Sequence, residues 1–226
     1  MLQRILDIKN PFWQFMNKLF DVVVLNLMWM LFTLPLVTVG ASTTAVCSVS
    51  VKILRKSSQG SGASKCFWQS FKENLKQGTI IGLIIFGLTA LLALDLWYFF
   101  LLQGFVTGVL RYIICGVLTL LLTVTLVTGI FAFALQSLFE NSVKATLQNS
   151  LLLALRYPAR SLGALAVNIL LAAATVLSLY YFPLISMVLL LFGVGLWVFI
   201  DMLILLPVLS KYLPPEEEDG PPEVFE

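Results

Sequence analysis

"LPLVTVGASTT", residues 34–44, closes the first long apolar run of the chain and turns it abruptly small and polar, with Pro35, Gly40 and the hydroxyls of Thr38, Ser42, Thr43 and Thr44. Three readings compete for it. Lys18 before the run and the small-x-small pattern of Val39-Gly40-Ala41 fit a signal-peptide cleavage site. Gly and Pro fit a loop. A Pro and a Gly between two apolar stretches also fit a turn made at a membrane, followed by a tightly packed small-residue helix.

Composition narrows the choice. The 226 residues are 59% hydrophobic and 12% charged, against about 25% charged in an average soluble domain. The apolar residues gather in runs of roughly 20, as membrane spans require, and not in the ten-residue alternation of a β-barrel. The fold class expected is all-α, a polytopic transmembrane helix bundle. Five segments stand out, at 19–36, 78–102, 112–135, 161–182 and 184–209, the last two parted only by Phe182 and Pro183.

Charge then sets the topology. Residues 1–213 hold all 14 Lys and Arg but only six acids, a balance of +8, and the other six acids lie in the final thirteen residues, "PPEEEDGPPEVFE". Five spans would put the basic amino terminus and the basic stretch 52–76 on opposite faces, against the cytoplasmic preference of Lys and Arg. A sixth segment at 38–54 restores the balance, placing 13 of the 14 basic residues and both termini in the cytoplasm and leaving Arg111 outside. Pro35 and Gly40 are then the candidate hairpin apex. A segment at 38–54 that re-enters without crossing is the competing reading, and a cleaved signal fits least, because it exports the basic stretch.

About six membrane segments, as three helical hairpins, thus make one domain over residues 1–213, followed by a disordered acidic, Pro-rich tail at 214–226. Two amphipathic cytoplasmic connectors join the hairpins. In the first, residues 64–78, Phe67, Trp68, Phe71 and Leu75 recur at helical spacing; in the second, Phe139, Val143, Leu147 and Leu151 share a face, with Lys144, Arg156 and Arg160 as anchors. "KSSQGSGASK" at 56–65 reads as a flexible linker.

Chemistry is scarce. The chain has no His, and Cys47, Cys66 and Cys115 lack metal-site or disulfide spacing. No Walker A loop, G-x-S-x-G elbow or H-E-x-x-H motif occurs. No enzyme, cofactor, metal or nucleic-acid partner is expected. Ionisable groups deep in a membrane are costly and therefore candidates for function. Asp201 in "WVFIDMLILLP" is the foremost, with Asp95, Asn168 and Asn26 as further intramembrane polar candidates. Each has a plainer reading as a side chain that ties helices together.

The stretches 16–45, 70–84 and 141–158, above all the Leu-Pro-x-Val-Thr-x-Gly-Ala-Ser-Thr-Thr core, resemble the YesL-like integral membrane proteins of Gram-positive bacteria. The resemblance implies a bacterial plasma-membrane protein encoded near carbohydrate uptake systems, and brings no mechanism or site residues with it. Two functions are expected on these grounds. The first is a non-enzymatic accessory or regulatory component of carbohydrate uptake, meeting transporter subunits in the bilayer. The second is a small homo-oligomeric transporter or channel for a small solute, with Asp201, Asn168 and helix 40–50 along its path.

Overall fold

The structure, a computed structural model, describes residues 11–55, 62–101 and 108–213. The amino-terminal ten residues, most of the Gly/Ser linker and the acidic tail lie outside the described residues. Among the described residues seven helices follow one another: α1 (Pro11–Thr33), α2 (Val39–Leu54), α3 (Ala63–Leu101), α4 (Val109–Leu138), α5 (Val143–Arg156), α6 (Pro158–Tyr181) and α7 (Pro183–Leu209). No strand occurs among the described residues.

Among the described residues, three helical stretches, Ala63–Phe100, Val109–Leu138 and Pro158–Tyr181, are long and apolar enough to cross a membrane. Their outer faces carry exposed Leu83, Leu91, Leu94, Leu120, Leu170 and Leu177, a surface suited to lipid. α2, at 16 residues, is shorter than the roughly 20 residues a span needs, whereas α1 and α7 run for 23 and 27 residues. Pro35 follows the end of α1, and α7 breaks at Gly193, whose φ of −21° and ψ of −107° are not helical.

α2 is the centre of the bundle and packs against α1, α3, α4 and α7. Its side chains are small, so backbones approach closely. A Cβ on Gly40 would run into the Gly78 carbonyl and lie 2.7 Å from the Gly82 Cα, and one on Gly78 would lie 2.9 Å from the Ala41 Cα. The G-x-x-x-G pair of α3 thus meets a small-residue face of α2. Thr43 and Thr44 hydroxyls donate back to the carbonyls of Val39 and Gly40 at 2.8 and 2.9 Å, which satisfies them within the helix.

The expected reversal is present between Thr33 and Val39, with Leu36 at a φ of +56°. Leu36, Val37 and Gly40 line a crevice with Gly82, Leu83, Phe86 and Gly87. The apex therefore lies beside the beginning of the α3 apolar run rather than its far end. Phe32, just before the turn, joins the rings of Phe67, Trp68 and Phe71 at centroid distances of 5.8, 5.2 and 4.9 Å.

The first connector differs from the sequence expectation. Residues 64–78 form no separate interfacial helix but are the opening turns of α3, which runs unbroken for 39 residues. Gly78 does not interrupt it because α2 presses against that point. Phe67 and Phe71 are buried in the core while Trp68 and Leu75 stay exposed. The second connector is a separate helix, α5, opened by the Ser142 hydroxyl accepting from the Ala145 amide at 3.3 Å. Pro158 and Pro183 occupy the first turns of α6 and α7, where a missing N–H costs nothing. A single residue, Phe182, separates α6 from α7, so these helices form the tight hairpin that the sequence predicts.

Candidate functional site

Asp201 and Asn168 come together from the two arms of the α6–α7 hairpin. The Asn168 Nδ2 donates to both carboxylate oxygens of Asp201, at 2.8 and 3.0 Å, and to the Ala164 carbonyl at 2.9 Å. The Asp201 side chain is buried, and no cation among the described residues pairs with it. Asn168 therefore supplies the only direct hydrogen bonds the described residues give this carboxylate, and it leaves acceptor capacity unused.

That capacity faces a cavity of about 370 Å³, near the lower end of the roughly 300–1,000 Å³ seen for small-molecule sites. Every helix except α5 contributes to its wall: Trp29; Val39, Thr43 and Cys47; Ile85, Phe86 and Thr89; Leu126, Gly129, Ile130 and Phe133; Asn168; Val194, Trp197, Val198, Asp201 and Met202. The wall is chiefly apolar and aromatic. Its polar features are few: the Asp201–Asn168 pair, the Trp29 indole N–H donating to the Thr43 hydroxyl at 3.1 Å, and the Thr89 hydroxyl, which has no hydrogen-bond partner. Gly129 belongs to the wall because α3 and α4 meet there, and a Cβ on it would lie 2.8 Å from the Ile85 Cγ2.

The other sequence candidates lie elsewhere. Asn26 is buried but outside the cavity, at the break in α7. Its Oδ1 accepts from the Gly195 amide at 3.3 Å, and its Nδ2 approaches the Met30 sulfur at 3.7 Å. The side chain thus serves the half-helix that begins after Gly193 as an N-cap supplied by another helix. Asp95 is partly exposed on α3, six residues beyond Thr89, and does not reach the cavity. Pro35 and Gly40 flank the chain reversal, and Gly40 also sets the close α2–α3 contact.

Thr43 and Cys47 lie in the 40–50 stretch that the sequence sets along a path with Asp201 and Asn168, whereas Trp29, Thr89 and Trp197 are not singled out by the sequence. A Trp or Thr within an apolar run carries no signal of its own; only the packing of six helices aims them at one space.

A second, polar cleft of about 840 Å³ opens at the junction of α3, α4 and α5, bordered by Glu73, Lys76, Gln77, Glu140 and Ser142. Buried Gln136 organises it. Its Nε2 donates to the Asn74 and Gln77 side-chain oxygens at 3.1 and 2.8 Å, and its Oε1 accepts from the Thr146 hydroxyl at 3.1 Å. This network fastens the end of α4 to the polar part of α3 and to α5. It leaves no reactive group poised.

A family model described as a protein of unknown function, DUF624, matches residues 22–96, which span about half of α1, all of α2 and most of α3. No curated protein and no solved structure matches the chain. The matched third includes the glycine-mediated α2–α3 contact and part of the cavity wall, but neither Asn168 nor Asp201.

Proposed function

We propose that the chain is a non-enzymatic integral membrane protein whose central cavity binds a small solute that presents a hydroxyl or ammonium donor to Asp201. The observation that carries this reading is the Asp201–Asn168 pair set into the wall of an otherwise apolar cavity lined by six helices. An acid so placed, with no cation beside it among the described residues, is expensive to maintain as mere scaffold. The aromatic faces of Trp29, Phe86, Phe133 and Trp197 suit the C–H surface of a small hydroxylated molecule.

The break in α7 favours transport by the protein itself over a purely accessory role. Discontinuous helices at a membrane binding site are a recurring device of secondary transporters, because the freed backbone groups and the hinge sit beside the substrate. Here the break at Gly193 lies one residue before Val194, which lines the cavity. The accessory reading, in which the protein assists carbohydrate uptake beside transporter subunits in a bacterial plasma membrane, rests on the family resemblance and keeps the same cavity as a sensing site.

The membrane arrangement that suits this reading retains cytoplasmic termini and modifies the six-segment scheme. α2, about 24 Å long, falls short of a hydrocarbon core of roughly 30 Å. Its first turn packs against the start of the α3 apolar run, and Phe32 reaches Phe67 and Phe71. These contacts support α1 and α2 as a hairpin that enters and leaves by one face, with the 34–38 turn inside the membrane thickness.

Reconstituted vesicles test the transport reading. Purified protein in liposomes should give saturable uptake of a labelled monosaccharide or small amine, and Asp201→Asn should abolish it. Tight solute binding without uptake, together with a co-purifying transporter subunit, would return the accessory reading to first place.

A further inference from the structure

Where α5 ends, a groove of about 360 Å³ runs between α4, α5 and the end of α7, floored by Leu135, Leu153 and Leu209 and rimmed by Arg156 and Tyr212. It is distinct from the central cavity and shares no residue with it. Arg156, at the rim, and Lys211, next to rim residue Tyr212, converge on one aromatic ring. The Arg156 guanidinium lies 6.0 Å and the Lys211 ammonium 5.5 Å from the Tyr157 ring centroid. Both cationic side chains are exposed, and no carboxylate among the described residues pairs with either. Tyr212 also lines the groove and brings a further polar group to the same rim. Beside this rim, Leu152 and Leu155 are 64% and 62% exposed, so cationic heads stand immediately above a surface suited to acyl chains.

Two exposed cations beside an apolar trough match one class of ligand in shape and charge: a phospholipid with a net negative headgroup. We infer that this groove binds an anionic phospholipid, its phosphate between Arg156 and Lys211 and an acyl chain along Leu135, Leu153 and Leu209. The inference rests on the membrane placement proposed above but not on any solute in the central cavity. Charge complementarity selects this occupant: a zwitterionic lipid would gain less from two like cations, and a soluble anion would leave the trough unused.

Native mass spectrometry of the detergent-purified full chain, titrated with phosphatidylglycerol and separately with phosphatidylcholine, reads the site directly. Phosphatidylglycerol should bind as a discrete adduct and phosphatidylcholine should not. Each basic residue near an anionic headgroup contributes about fivefold in affinity, so Lys211→Gln should weaken binding about fivefold and the Arg156→Gln/Lys211→Gln pair roughly 25-fold. Arg111→Gln, at the opposite end of α4, should leave it unchanged. Lys211→Gln lies beyond the last helix, which keeps the test valid if the double variant fails to fold. Equal binding of the two lipids, or full phosphatidylglycerol binding by Lys211→Gln, would overturn the inference. So would adducts that appear only after removal of residues 214–226, which would assign the groove to the acidic tail.

Discussion

The Asn168 side-chain amide bridges both oxygens of Asp201, at 2.8 and 3.0 Å, across the α6–α7 hairpin. One donor group thus serves a buried carboxylate that faces a cavity on its other side. Hydrogen bonds to charged groups contribute about 1.5–3 kcal/mol when one partner is removed, whereas those between membrane helices average nearer 0.6 kcal/mol. Asn168→Ala should therefore lower stability by about 1–2 kcal/mol, read as thermal unfolding in detergent. Asp201→Asn, which keeps volume and polarity, should cost less than Asn168→Ala. The reverse order would mean that the pair is held by something other than this bond.

The glycine contact between α2 and α3 makes a sharper prediction. Gly40→Ala places a methyl group against the Gly78 carbonyl and the Gly82 Cα, both rigid backbone. Overpacking of this kind costs about 1–3 kcal/mol, and no side chain is present to yield. Gly87→Ala, where an added Cβ would meet open space, is the control and should be neutral to slightly stabilising. Size-exclusion profiles after graded heating distinguish the two, and equal behaviour would remove the close contact from the account.

Asn26 has a different task. As acceptor for the Gly195 amide it satisfies a donor released by the break in α7. Asn26→Leu should destabilise by about 1–2 kcal/mol, the range for losing a helix cap, while Asn26→Asp, which retains an acceptor, should recover part of the loss. Melting temperatures of the three proteins decide it. No difference between Leu and Asp at this position would show that packing alone holds the crossing.

The depth of the α1–α2 turn is measurable in cells. Val37→Cys, in a background lacking Cys47, Cys66 and Cys115, should resist a membrane-impermeant maleimide, whereas Val109→Cys at the α3–α4 end should react. Both side chains are exposed on the protein surface, so a difference reports the membrane. Equal labelling would place the turn at the outer surface and favour six full crossings.

How much of this was legible in the sequence varies by element. The α6–α7 hairpin was, because Phe182 and Pro183 interrupt an otherwise continuous apolar run. Asp201 and Asn168 each stood out by the cost of polarity at depth, and their meeting follows from a hairpin pivoting at 182. The helical nature of 64–78 was legible from its spacing, but its fusion to the following apolar run was not. Periodicity marks a helix and says nothing of whether the axis continues through Gly78. Asn26 was picked for its depth, yet its partner is a backbone amide freed by a break at Gly193, a glycine no different in sequence from Gly195. The depth of the 34–44 turn depended on which end of α3 receives Gly40, a matter of tertiary contact that charge counting does not address.

The central claim, that the Asp201–Asn168 cavity holds a small solute, is tested most directly by intrinsic tryptophan fluorescence, since Trp29 and Trp197 both line the cavity. Purified protein titrated with a panel of monosaccharides and small amines should show a saturable change with at least one of them, and Asp201→Asn should lose it while remaining folded. No saturable change across the panel, or an identical titration in Asp201→Asn, would contradict the claim.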